Sequence, residues 1–100
     1  MQVFISQPMN GLSEMQILDV RNKICNKFHI TEDELIENYV KKVPKEDVNE
    51  SVWCLGDSIR LMAFADLVIF APGWKEARGC YIEHDVCEDY CIHHIDLYNL

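Results

Sequence analysis

The chain has 100 residues, enough for one small domain, and its 9 basic against 17 acidic side chains leave a formal charge of −8. That balance excludes a surface built for polymeric nucleic acid, which needs clustered Lys and Arg, but not a single nucleotide held by backbone N–H groups at a helix start. No apolar run approaches the ~18 residues of a membrane span and no basic segment precedes the first apolar stretch, so Cys25, Cys54, Cys80, Cys87 and Cys91 are expected as free thiols in the cytoplasm.

Gln2–Ser6 (QVFIS) predicts a strand that runs into the loop Gln7-Pro8-Met9-Asn10-Gly11, marked by its Pro and Gly. Ser13-Glu14-Met15-Gln16 reads as a capping box, and Ile17, Leu18, Arg21, Ile24, Cys25 and Phe28 continue it at helical spacing. Thr31–Glu34 reads as a polar turn or a short helix, and Leu35–Val40 as a second strand or the rest of that helix. Lys41–Asn49 is a charged loop around Pro44. Ser51 is expected to cap a helix through Trp53, Leu55, Ile59 and Met62, weakened by about 1 kcal/mol at Gly56. Ala65–Phe70 predicts an apolar strand buried on both faces, ended by Pro72-Gly73-Trp74. Arg78 to Cys91 reads as a helix with Ile82, Val86 and Tyr90 on one stripe, and Ile95–Tyr98 as a last strand.

This alternation implies an α/β domain with about four mostly parallel strands and right-handed crossovers. Gln2–Ser6 and Leu67–Ala71 are expected side by side at its centre. Ligands of open parallel sheets bind beyond the C-terminal strand ends, which here places a site between the loops Gln7–Gly11 and Ala71–Gly79. A domain of this size has a small core, and apolar residues outside the predicted stripe, such as Tyr81 and Cys91, point to self-association as a homodimer or higher oligomer.

Glu83 is the first candidate for chemistry. It shares a helical face with Gly79, Val86, Cys87 and Tyr90. The helix dipole favours its ionised form and desolvation opposes it. A partly desolvated carboxylate suits nucleophilic attack on a sugar carbon. The plainer reading is a helix-start acid that satisfies backbone donors or pairs with Arg78. Asp57 reads as an acid early in its helix and Asp66 as a turn or cap residue before the central strand. Ser6, Asn10 and Gly11 offer a hydroxyl and N–H groups to a sugar or phosphate, or simply form a strand-to-helix turn. Trp74 reads as an exposed aromatic that stacks on a base, or as a core or subunit contact. Cys80, His84, Cys87 and Cys91 follow one helical face, but over roughly 16 Å they cannot close around one zinc. Only a subset joined by a residue such as His93 or His94 could, so no metal and no cofactor are expected.

Two blocks of the sequence carry a family likeness. Ile5-Ser6-Gln7-Pro8-Met9-Asn10-Gly11 resembles the opening loop of the nucleoside 2-deoxyribosyltransferase-like superfamily, in particular its small DUF4406 branch. Asp57, Ala65–Phe70, Pro72-Gly73-Trp74 and Arg78-Gly79-Cys80-Tyr81-Ile82-Glu83-His84 are similar to the branch's second block, whose Gly-x-x-x-Glu holds the superfamily's nucleophile. Residues 29–50 match poorly, and Ala77 stands where the branch pattern has Ser. The resemblance implies a single domain over residues 1–100, a small Rossmann-like or flavodoxin-like three-layer fold. It also implies cleavage or transfer at the N-glycosidic bond of a nucleoside or nucleoside 5′-monophosphate. Glu83 would be the nucleophile and Asp57 the acid that holds or protonates the base. Ser6, Gln7, Asn10 and Gly11 would hold the sugar or 5′-phosphate, and Gly79 would let the sugar approach the helix.

Overall fold

A computed structural model describes residues 1–37 and 47–100. The described elements run β1 (Val3–Ser6), α1 (Glu14–Lys27), α2 (Glu50–Met62), β2 (Leu67–Phe70), a 3₁₀ turn (Trp74–Glu76), α3 (Arg78–Asp89) and β3 (His94–Asp96). The strands form one parallel sheet in the order β1-β2-β3, with Ser6 in register with Phe70 and Phe70 with Asp96.

The expected neighbours β1 and β2 are indeed adjacent and parallel, but among the described residues the sheet has three strands, with β2 at its centre. The segment read as a second strand or the rest of a helix contributes, among the described residues, a single parallel bridge from Leu35 to Val3, flanked by Val3 N–H donating to Glu34 O and Ile36 N–H donating to Val3 O. Thr31–Glu34 is a turn, closed by Glu34 N–H on Thr31 O, with the Glu34 carboxylate accepting from the Thr31 hydroxyl. That side-chain bond competes with helix formation. The end of the expected strand, residues 38–40, and most of the expected loop over 41–49 lie outside the described residues.

Strand alternation sends side chains to two cores. Phe4, Val68 and Phe70 pack with Met62 of α2 and Cys80 and Cys87 of α3. Val3, Ile5 and Ile69 pack with Ile24 of α1 and with Ala71 and Leu97. Phe4, Ile5, Val68, Ile69 and Phe70 are wholly buried, and burial of each such side chain contributes about 1.5–3 kcal/mol. Arg21, also buried, reaches from α1 to donate to Ile36 O at 3.0 Å, tying that helix to the segment beside β1.

Helix ends follow local chemistry, with corrections. The capping box of α1 forms as read: Gln16 N–H donates to Ser13 Oγ, and Ser13 N–H donates to Gln16 Oε1. Asn49, not Ser51, caps α2, its side chain accepting from Val52 N–H at 3.1 Å. Asn is as good a cap as Ser, so the earlier of two competent residues starts the helix. The third helix stops at Asp89, short of Cys91, whose positive φ of 56° breaks the helical run. Its buried stripe is Cys80, Glu83 and Cys87, whereas Ile82 and Tyr90 face outward. The last strand lies earlier than expected, at His94–Asp96.

Candidate active site at the C-terminal edge of the sheet

The two loops expected to frame a site leave the C-terminal ends of β1 and β2, and both span seven residues. They meet: a Cβ on Gly73 would lie 3.5 Å from Pro8 Cγ, and Gly73 holds φ of +89°, a conformation that favours glycine. Gln7 is buried and its Nε2 donates to Ile17 O at 2.9 Å, pinning the first turns of α1. Its Oε1 is buried without a hydrogen-bond partner among the described residues. Asn10 and Gly11 are exposed in the turn, Gly11 with φ of +78°.

Glu83 sits on the inward face of α3, only 7% exposed, and its Oε1 accepts from the Ser6 hydroxyl at 2.6 Å. Neither plain role expected of it holds: it lies beyond the first turn of a helix that begins at Arg78, and its partner is Ser6 rather than Arg78. Burial pushes its carboxyl from 4.5 up to about 7, against the opposing pull of the Ser6 hydrogen bond. Burial likewise lifts the Cys80 thiol to about 11 and the Cys87 thiol to about 12, with the Glu83 charge adding to both. The acid therefore stands among neutral thiols and one hydroxyl donor, and its own ionisation falls near neutrality.

The start of α3 is bare. Its N-cap, Ala77, supplies no side-chain hydrogen bond, and the first turn holds no acid. Gly79 is exposed, and a Cβ there would meet nothing within 4 Å.

The other predicted residues are distributed differently. Asp57 lies two turns into α2, because the helix begins at Glu50, and its carboxylate is bonded to Arg60 of the same helix. Asp66 accepts from Gln2 N–H at 2.7 Å, closing the N-terminal end of the sheet as expected of a turn residue. Trp74 is 4% exposed, so packing wins over exposure. Its ring stacks on His84 with centroids 4.1 Å apart and planes at 15°, and it tilts against Phe70 at 5.7 Å. An edge of Trp74 also borders an open groove of about 430 Å³ shared with Gly73, Lys75, Glu76 and Tyr98. Lys75 Nζ stands 5.7 Å from both the Trp74 and Tyr98 ring centroids, within cation–π range. This groove runs along the second loop and the C-terminal segment, not between the two loops.

A second polar cluster adjoins the first. His84 Nε2 lies 3.0 and 3.1 Å from the two Asp96 carboxylate oxygens, and His94 stands edge-on to His84 at 4.8 Å. Ser6, Phe70 and Asp96 form one row across the sheet, so the consecutive residues Glu83 and His84 are held by opposite outer strands. His94 is among the residues the sequence offers as partners for the α3 histidine, but Asp96 is not; its one available signal is an acid and a histidine alternating with apolar residues in a short strand.

No protein-family model matches the chain, and neither a curated protein nor a solved structure shows significant similarity to it.

Proposed function

We propose that the chain acts on the N-glycosidic bond of a nucleoside or nucleoside 5′-monophosphate, cleaving it or transferring the sugar, with Glu83 as nucleophile. The observation that carries this reading is the buried Ser6–Glu83 pair at the C-terminal edge of a parallel sheet, where such sheets bind ligands. A Glu83 oxygen attacks the anomeric carbon, the C–N bond electrons leave with the base, and water or a second base resolves the glycosyl–enzyme ester. The leaving base takes its proton from water, or from Asp57 once that carboxylate has left Arg60 and taken up a proton from solvent. The exposed first loop at Asn10 and Gly11 and the bare start of α3 at Gly79 supply N–H groups for the sugar or phosphate. Helical residues against both sheet faces support the three-layer, Rossmann-like form of the reading.

The same reading puts the chain in the cytoplasm as a homodimer or higher oligomer. No helix among the described residues is long and apolar enough to cross a membrane. Tyr81 and Ile82 of α3, Tyr90 just after it and Tyr98 beyond β3 are exposed and offer apolar surface for a second copy, which at Tyr98 would deepen the open groove.

A screen of nucleosides and their monophosphates, read as released base, tests the proposal. Release should rise with pH through about 7 as Glu83 ionises. Glu83→Ala should abolish it while leaving binding largely intact, because the lost interaction belongs to the transition state. Wild-type release by folded Glu83→Ala protein overturns the mechanism. The near-complete burial of Glu83 favours a second reading, a nucleotide-binding module without turnover; binding without release in that screen selects it.

A further inference from the structure

The cluster beside the candidate active site has the chemistry of a metal centre. One nitrogen each of His84 and His94 and a carboxylate oxygen of Glu88 lie within 4.8 Å of one another. His84 and Glu88 stand one turn apart on α3, and His94 opens β3, so the donors come from two elements that the helix pattern alone could not join.

In the neutral imidazoles, the form that binds a metal, the hydrogen bonds behind the two rings decide the tautomers. His94 Nδ1 is 2.9 Å from Ile92 O, and a carbonyl can only accept, so Nδ1 carries the proton and Nε2 keeps its lone pair. His84 Nε2 faces both oxygens of the Asp96 carboxylate, so Nε2 donates and Nδ1 keeps its lone pair. A carboxylate or carbonyl behind a ligating imidazole is the outer-sphere arrangement that orients metal-binding histidines and raises their basicity. The His84 ring is further clamped by the Trp74 stack at 4.1 Å and the Phe70 edge at 4.8 Å, so little side-chain freedom remains to be lost on binding.

We propose that His84 Nδ1, His94 Nε2 and the Glu88 carboxylate bind one divalent transition-metal ion of the zinc class, leaving at least one coordination position open. Two imidazoles and a carboxylate suit zinc and its borderline neighbours rather than calcium or magnesium, which take mainly oxygen donors. Ligand atoms on a tetrahedral zinc stand roughly 3.3 Å apart. Of the three side chains Glu88 is the exposed one, free to rotate as the 4.8 Å spread closes. The site stands independently of base release: failure of the nucleoside screen leaves it intact, and absence of metal binding leaves the Glu83 mechanism intact.

Chelator-treated protein titrated with Zn²⁺ by calorimetry at pH 7.5 should bind one ion per chain. Glu88→Gln and His94→Gln should each weaken binding at least ten-fold, and Asp96→Asn about ten- to hundred-fold through its hold on His84. Glu88 is exposed, so its variant reports on binding even if the His94 variant fails to fold. Co²⁺ separates this site from adventitious thiolate capture by the free cysteines: ligation by nitrogen and oxygen gives weak d–d bands without an intense sulfur-to-metal band. Absence of stoichiometric binding, wild-type affinity in Glu88→Gln, or a thiolate-type Co²⁺ spectrum overturns the proposal.

Discussion

Two strand-to-helix crossings among the described residues have equal length, from β1 to α1 and from β2 to α3, and they begin their helices in opposite ways. The first is sealed by its own sequence: Ser13 and Gln16 satisfy each other's backbone donors, and Glu14 adds charge where the helix dipole favours it. The second has no side-chain cap and no acid in its first turn, with Ala77 and Gly79 at the positions that would fill the space. A capped start stabilises a helix and consumes its N–H groups. A bare start gives up that stabilisation and keeps those groups for something else. The polar weight of the second crossing lies deeper, at Glu83, where it is held by a strand rather than by the helix end.

The largest test of this contrast is the ionisation of Glu83. Its carboxyl is raised in the fold from 4.5 to about 7, so the folded chain holds a proton that the unfolded chain has released. The associated stability is complete below about pH 4.5 and is lost as pH rises through about 7, by about 3 kcal/mol in all. Glu83→Gln keeps an acceptor for Ser6 but cannot ionise. Melting curves in chelator should show it matching wild type near pH 4.5 and exceeding it at pH 8; a constant difference across that range breaks the assignment.

Ser6→Ala comes next. It removes the hydroxyl donor from a buried acid and should cost about 2 kcal/mol above pH 7. The ionisation of Glu83 should also move further up, since the Ser6 bond holds it down. Carbon-13 NMR of the Glu83 carboxyl reads that shift directly, and an unchanged midpoint counts against the pairing.

Two cap substitutions compare the crossings themselves. Ser13→Ala should destabilise by about 1 kcal/mol in denaturant unfolding, because α1 depends on its box. Ala77→Ser should stabilise by about 0.5 kcal/mol by supplying the cap that α3 lacks. Under the nucleotide reading, it should also weaken monophosphate binding by competing for the same N–H groups. Equal and opposite effects on stability alone would make the bare start a purely local matter.

The sequence by itself determined the local features: the α/β alternation, the Ser13 box and the placing of an acid on a largely apolar helix face at Glu83. Each rests on residues close in the chain or on an apolar period that one element displays. It misjudged features where two signals competed locally, as when Asn49 capped α2 ahead of Ser51 and so moved Asp57 away from its helix start. Tertiary structure alone decided the pairs. Ser6 and Glu83 are 77 residues apart and meet because β1 ends beside β2 under α3. His84, Glu88 and His94 converge because the chain turns at the positive-φ Cys91 and brings β3 back beside β2. Trp74, one of whose sequence readings was a surface aromatic, is buried because His84 and Phe70 offer it a stack and a wall. Periodicity shows which face of a helix turns inward; only the packed sheet shows which strand residue waits there.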